Sequence, residues 1–355
     1  MLSKLALVRG LVFRAILICT VTGSFFEHFK LGDKFSAPSV TIDEGHAAFY
    51  QAITGDRSRL SLDKTLSEKV TGRIERVINP MLSINMINGQ TTFASQNVKG
   101  NLFYRGLHLK QPVYLGDTLR TTTKVVGLKQ NKIKEGRAAT GMVALEMETR
   151  NQDGLQILKY WRCPMISCQD PKADTGLNDD FSWMPVELDY NEIRKSIPLS
   201  WNIEELKQQD LDLPSPKILE NTKIIVRAGD TITCAPELVR ITGNIALTHT
   251  DASQSYLGKR LVYGGHTISL AYSQFVRAIP NIVSLIGWQK CDHLAPVHEE
   301  DIINSEFIIN KKIPIEKGVL YEINAETYSI RKSENGSFTD RTQVLDWVFV
   351  VWVAE

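Results

Sequence analysis

The sequence predicts an α+β protein that repeats one unit twice, each copy a polar loop, then a helix, then several antiparallel strands. Three observations predict it. Gln111-Pro112-Val113-Tyr114-Leu-Gly-Asp117 recurs as Ala295-Pro296-Val297-His298-Glu-Glu-Asp301 at an offset of 184 residues, and Asn79-Pro80 answers Tyr263-Gly264 at the same offset. Thr54-Gly55-Asp56 answers Thr242-Gly243-Asn244 at 188, a difference that a short indel explains. A turn dipeptide lies near the end of each copy, Asp153-Gly154 and then Asn335-Gly336. Self-similarity at a fixed spacing marks duplicated structural units, and such dipeptides favour two-residue hairpin turns.

In chain order, Met1 to Gly23 comes first, with Lys4, Arg9, Arg14, no acidic residue and an apolar run at Ala15. The basic residues interrupt that run short of the ~20 apolar residues that span a bilayer, so no stable membrane insertion is expected. It reads as an N-terminal extension outside the fold, with a targeting peptide as the alternative. The first copy is expected over 24–168, with a helix at Met81 to Ile87 and a strand at Met142 to Thr149. Residues 169–217, polar and interrupted by Pro171, Pro185, Pro198, Pro214 and Pro216, read as a connector with one short helix at Ile203 to Asp210. The second copy is expected over 218–355. In it Ile268, Tyr272, Phe275, Val276 and Ile279 fall at helical spacing, giving an apolar face that can lie on a sheet, and Pro280 ends the helix. Val344 to Val353 is rich in β-branched and aromatic residues, as strands are.

At 355 residues the chain has room for two ordinary domains. A hydrophobic share of 43% and a charged share of 23% exclude a disordered or membrane-spanning class. The net charge of +1 gives no general attraction to nucleic acid. The 5 cysteines are scattered, without zinc-ligand spacing, so neither a metal nor a disulfide framework is expected and a reducing, cytoplasmic setting fits.

The chemistry-bearing stretch is Thr242-Gly243-Asn244, then His249 and Asp251, then Arg260-Leu-Val-Tyr263-Gly264-Gly265-His266, with Ser269 following. His249 is the residue of the Asn244-x4-His249-x-Asp251 motif whose side chain gains and loses a proton near neutrality, although a lone loop histidine is more often a plain hydrogen-bonding group. Gly264 and Gly265 open a helix, where unpaired N–H groups and the helix dipole favour a negative oxygen; a tight turn is the bland alternative. Asp251 suits a helix N-cap as well as a catalytic place. In the first copy Ser61 stands at the His249 position and Pro80, with no N–H, at the Gly264 position. Only Asp56 keeps its place. The first copy is therefore expected to shape the cleft while the second does the chemistry.

The pattern Thr-Gly-Asn244-x4-His249-x-Asp251, with Arg260-Leu-Val-Tyr-Gly264 and Pro296-Val-His-x-x-Asp301, resembles the MaoC-like (hydratase-2) family from Phe25 onward. The resemblance implies a double hot-dog fold, in which each long helix is wrapped by a curved antiparallel sheet. It implies a carbon–oxygen lyase that adds water to, or removes it from, an enoyl-CoA, with the CoA thioester as substrate and no cofactor or metal. The finer likeness carried by Phe25-Phe-Glu-His-Phe and Gly287-Trp-Gln-Lys-Cys-Asp-His implies a branched dicarboxylic acyl group, and possible assembly of double units into homo-oligomers.

The resemblance further implies that Asn244 and His249 hold the water and that backbone N–H near Gly264 and Gly265 holds the thioester oxygen. Asp251, Arg260, Tyr263, His266 and Ser269 are candidates to line the substrate. This chain departs from the family's Asp at Asn244. Either His249 does the proton work and Asn244 orients water, or Asp251, Glu300 or Asp301 substitutes as the carboxylate. Arg260, Arg277 and Arg105 are candidates for a second substrate carboxylate, and Lys259 and Lys290 for CoA phosphates. Another (R)-specific enoyl-CoA hydratase, a thioesterase on the same fold and a non-catalytic acyl-CoA-binding protein are the rival functions.

Overall fold

The computed structural model describes residues 23–207, 218–255, 257–333 and 335–355. In the first unit the chain runs through strands β1 (Lys34–Ser36) and β2 (Val40–Thr41) and helices α1 (Glu44–Thr54), α2 (Arg59–Leu62), α3 (Lys64–Thr71) and α4 (Pro80–Thr91). Strands β3 (Val98–Leu109), β4 (Thr118–Gln130), β5 (Thr140–Arg150) and β6 (Gln156–Ser167) follow. A connector holds α5 (Tyr190–Ser196). The second unit repeats the order with β7 (Lys223–Ile225), β8 (Asp230–Thr231), α6 (Ala235–Ile241), α7 (Leu247–Thr250) and α8 (Gly264–Ala278). It closes with β9 (Ile282–His293), β10 (Ile302–Pro314), β11 (Val319–Ile330) and β12 (Thr342–Val353).

All the long strands join one antiparallel sheet, in the order β1-β4-β5-β6-β3-β9-β12-β11-β10-β7. The two units meet at β3 and β9, where Leu107 pairs with Trp288 and His108 with Gly287. Helices α4 and α8 lie together inside the sheet's curve. Their offset of 184 residues holds in space, since Asn85 Nδ2 donates to its counterpart Ser269 Oγ at 2.9 Å. A self-complementary contact between equivalent residues is the mark of a two-fold relation, here built into one chain.

One core spans both units and includes Met81, Ile84 and Ile87 of α4, Ile268 and Phe275 of α8, and Leu145, Phe349 and Val351 of the sheet. Full burial of such a side chain contributes roughly 1.5–3 kcal/mol, so the units stabilise each other. Helix α8 is buried from Gly265 through Val276. It is therefore a central helix enclosed on every side, with the expected face of Ile268, Tyr272, Phe275 and Val276 in the core.

Two expectations change. At the hairpins only the glycines, Gly154 at φ 78° and Gly336 at φ 86°, are left-handed, while Asp153 and Asn335 are not. The turns are thus longer than two residues, with the glycine as the left-handed position of a bulge. The connector carries its helix earlier than expected, at α5, where the Asp189 carboxylate accepts from Asn191 N at 2.8 Å. Only a short 3-10 turn, Ile203–Leu206, falls in the expected helix, and its last three residues lie outside the described residues. Far from loose, the connector packs Ile193, Ile197 and Trp201 onto the outer face of the sheet, with Trp201 stacked on Trp352 at 5.7 Å. The N-terminal extension, up to residue 22, also lies outside the described residues. No helix among the described residues is long and apolar enough to cross a membrane.

Candidate active site

Between the two units lies a cavity of about 260 Å³. The second unit lines it with Asn244, His249, Tyr263, Gly264 and His293, and the first with Asn88, Tyr104 and Arg162, among others. The loop carrying Asn244 is fastened to the first unit, since Ile245 N donates to Thr92 Oγ1 at 3.0 Å and Leu247 N to Gln96 O at 3.0 Å. Neither unit alone would form the site.

His249 stands on the single turn α7. Its Nδ1 is 2.8 Å from the Leu261 carbonyl, which can only accept, so Nδ1 carries the proton and Nε2 is left with its lone pair. Burial lowers the pKa of this imidazole to about 4; the Leu261 carbonyl opposes that and the charge of Arg162 adds to it. At neutral pH it is a neutral base. Its ring rests edge-on against Tyr263, 5.6 Å between centroids.

Asn244 Oδ1 accepts from Ala246 N at 2.9 Å, an Asx turn that sets up α7. The backbone thus takes one of the two lone pairs of the oxygen expected to orient water, and the amide nitrogen is left as a donor. No Asp or Glu lines the cavity among the described residues.

Helix α8 begins at the cavity with Tyr263 as its N-cap and no capping side chain. The N–H of Gly264 meets no acceptor among the described residues, and this uncapped end carries the positive pole of the helix. A Cβ at Gly264 would stand 2.5 Å from His293 Nε2, so only glycine admits that ring beside the helix end. Burial lowers His293 to about 4, and its Nε2 has no partner. Asn88 Nδ2 donates to the hydroxyls of Tyr263 at 2.7 Å and Tyr104 at 3.0 Å, while Tyr160 donates to Asn88 Oδ1 at 3.1 Å. Burial holds the Tyr104 and Tyr263 phenols above the ordinary range, so they remain proton-bearing donors.

In the first unit the corresponding place is a second crevice, with no imidazole and no open helix end on it. Asn79 caps α4 by accepting from Met81 N at 2.7 Å, and Pro80 has no N–H. Asp56 is consumed by Ser58 N at 2.9 Å and Ser61 Oγ at 3.0 Å. Asp56 lines this crevice, with Ser61, Arg76 and Asn79.

Several candidates named from sequence lie elsewhere. Gly265 packs against Asn85 and the Tyr263 ring, behind the cavity wall. Ser269 donates to Gly265 O at 2.6 Å inside the contact of α4 with α8. His266 is 0% exposed, and both its ring nitrogens lack partners. Asp251 and Arg260 belong to a separate surface depression with Glu300 and Asp301. There Asp251 accepts from Ser253 N at 2.8 Å, capping a turn and no helix, and Arg260 pairs with Glu299 at 2.6 Å. Asp301 pairs with Arg331 at 2.7 Å, so none of the three substitute carboxylates reaches His249. Arg277 and Arg105 face Asp230 and Asp292, at 2.6 and 3.7 Å, and Lys290 is held by Asp346 and Asp292. Lys259 lies in the depression with Arg260.

Arg162, Asn88 and Tyr104 were missed in the sequence. Arg162 left a signal: it occupies the buried phase of β6, in step with Leu158, Tyr160 and Ile166, where a charged residue is out of place.

A central helix wrapped by a curved antiparallel sheet, with a neutral imidazole and an open helix N-terminus on one cavity, defines a hot-dog protein whose cavity offers a base and a donor for a negative oxygen. A double hot-dog protein of Mycobacterium tuberculosis matches over 93% of this chain and 98% of its own, at 36% identity and a TM-score of 0.83. A MaoC-domain dehydratase of Chloroflexus aurantiacus matches over 96% and 99%, at 26% and 0.81. A β-methylmalyl-CoA dehydratase of Chloroflexus aurantiacus is 31% identical over 317 residues, 83% of this chain and 85% of its own. A mesaconyl-CoA hydratase of Cereibacter sphaeroides is 28% identical over 299 residues, 81% and 83%. No family model matches the sequence. The chain belongs to the MaoC-like double hot-dog family of hydratases and dehydratases and is a hydro-lyase of the enoyl-CoA hydratase type.

Proposed function

We propose that this enzyme interconverts a branched dicarboxylic enoyl-CoA and its hydroxyacyl-CoA, specifically mesaconyl-CoA and β-methylmalyl-CoA. One observation carries the chemistry: the free Nε2 of His249 and the uncapped start of α8 at Gly264 line the same cavity. The names of the two relatives support the acyl group.

Water addition needs a base for water, a proton for Cα and donors for the enolate oxygen. With no carboxylate among the described residues of the cavity wall, His249 serves both proton steps. Its Nε2 takes a proton from water as the water oxygen bonds to Cβ. The electron pair of the double bond moves onto the thioester oxygen, held by the Gly264 N–H, and the imidazolium then returns the proton to Cα. Asn244 and the phenols of Tyr263 and Tyr104 supply the remaining donors. This chemistry calls on no metal and no cofactor beyond the thioester.

The test is to incubate purified protein with mesaconyl-, crotonyl- and itaconyl-CoA and follow product masses. A gain of one water on mesaconyl-CoA is expected, fastest of the three. Release of free CoA in its place would make the protein a thioesterase, and tight binding without any product would make it a carrier.

A further inference from the structure

Arg162 is 4% exposed, lies halfway along β6 in the first unit and forms part of the wall of the cavity that holds His249. Its Nη2 donates to Thr91 O at 3.2 Å and to Ser95 Oγ at 2.6 Å. Its Nε is buried with no acceptor. No carboxylate pairs with it among the described residues, whereas buried Asp301 is matched by Arg331, Glu306 by Lys223 and Arg341, and Glu322 by Lys311.

A guanidinium stays charged, and burying a charge without a counter-ion is costly. The bond to Thr91, at the last turn of α4, accounts for Nη2 as a helix-end contact. It does not account for a full cation with idle donors on a cavity wall. We propose that Arg162 receives a carboxylate at the far end of the substrate's acyl group, and so restricts the enzyme to short acyl-CoA esters that carry a second acid. This rests on the enoyl-CoA reading above and adds to it the residue that selects the substrate.

The guanidinium donors that Thr91 and Ser95 leave free, on Nε and Nη1, can meet a carboxylate, and no acidic side chain among the described residues of the cavity wall would repel one. The three arginines that sequence offered for this task already face acidic partners; the cavity wall itself carries two cations, Arg162 and the half-buried Lys99, of which Arg162 is the buried one. Its place on the first unit gives that unit a part in catalysis although its own crevice has no imidazole. The carboxylate also anchors the chain at the end opposite the thioester, so the double bond is held between Arg162 and the start of α8, beside His249.

The experiment compares equilibrium binding of two saturated esters, succinyl-CoA and butyryl-CoA, which differ in the terminal carboxylate and cannot be hydrated. Hydrogen bonds to charged groups are worth enough that wild type should prefer succinyl-CoA by about 10-fold to 100-fold. Arg162→Gln, which keeps a donor for Ser95, should reduce the preference to under about 3-fold. Arg162→Lys, with the charge but no fork, should fall between and stands in for the first variant if that one does not fold. Equal binding of both esters by wild type overturns the proposal, as does a preference that survives in either variant undiminished. A protein that hydrates enoyl-CoA esters yet binds the two saturated esters equally would refute the role of Arg162 alone. One that prefers succinyl-CoA but hydrates nothing would refute the hydratase reading.

Discussion

Replacing His249 by Gln isolates the proton transfer from the geometry around it. The Gln side-chain amide can still donate to the Leu261 carbonyl, the bond that now measures 2.8 Å, but it has no basic nitrogen to stand in for Nε2. Loss of a positioned general base lowers kcat by about 10² to 10⁴, equivalent to roughly 3–5 kcal/mol of barrier. The pH profile adds a second, independent reading. A pKa of about 4 keeps the imidazole neutral down to mildly acid pH. At pH 5.5 such a group is still almost wholly in its basic form, whereas a histidine at its ordinary value would retain only about a tenth. The expectation is a wild-type kcat/KM that His249 leaves flat from pH 8 to 5.5 and that falls tenfold per pH step only below about 4, followed as loss of enoyl-thioester absorbance. Near-normal turnover by the Gln variant, or an inflection near 6.5 that disappears with it, would refute the assignment of His249 as a buried neutral base.

Hydration run in D₂O should place deuterium at Cα on the same face as the new hydroxyl, read by NMR of the product, because one imidazole handles both protons; the opposite face would call for a second acid such as His293. Gly89→Ala should destabilise the fold by about 3 kcal/mol or more in urea unfolding, since a Cβ there would lie 1.8 Å from the Thr242 carbonyl, which cannot retreat without moving the Asn244 loop. His266 is fully buried, its pKa lowered to about 4 from an ordinary 6.5, so the unfolded chain binds the extra proton first and stability is lost as pH falls from 6.5 toward 4. His266→Leu should remove that loss, widening its advantage over wild type by roughly 2–3 kcal/mol between pH 7 and pH 4.5 in denaturant melts.

The duplication was legible because the offset of 184 residues survives in short polar pieces, Asn79-Pro80 against Tyr263-Gly264, that fix where each central helix starts. The end of α8 was legible too, since Pro280 keeps Ile279 out of helical conformation. What lay across from those pieces was not. A helix buried on all sides gives no polar face from which to tell that Ser269 and His266 point away from the cavity while Gly264 borders it. Asp251 and Arg260 sit close in sequence to His249, but the loop between them turns both toward Glu299 and Ser253. Arg162 and Asn88 reach the cavity from the other unit, so no spacing within the motif could reveal them.

The connector's Trp201, clasped against Trp352 of the last strand, ties the two halves together more tightly than a flexible tether would. Separate subunits find each other in proportion to their concentration, but a tethered pair meets at an effective concentration that dilution does not change. Catalysis by this chain is therefore expected to persist at protein levels where a crevice shared between two free polypeptides would come apart. Because the halves need not be identical, one can supply a buried cation while the other supplies the imidazole.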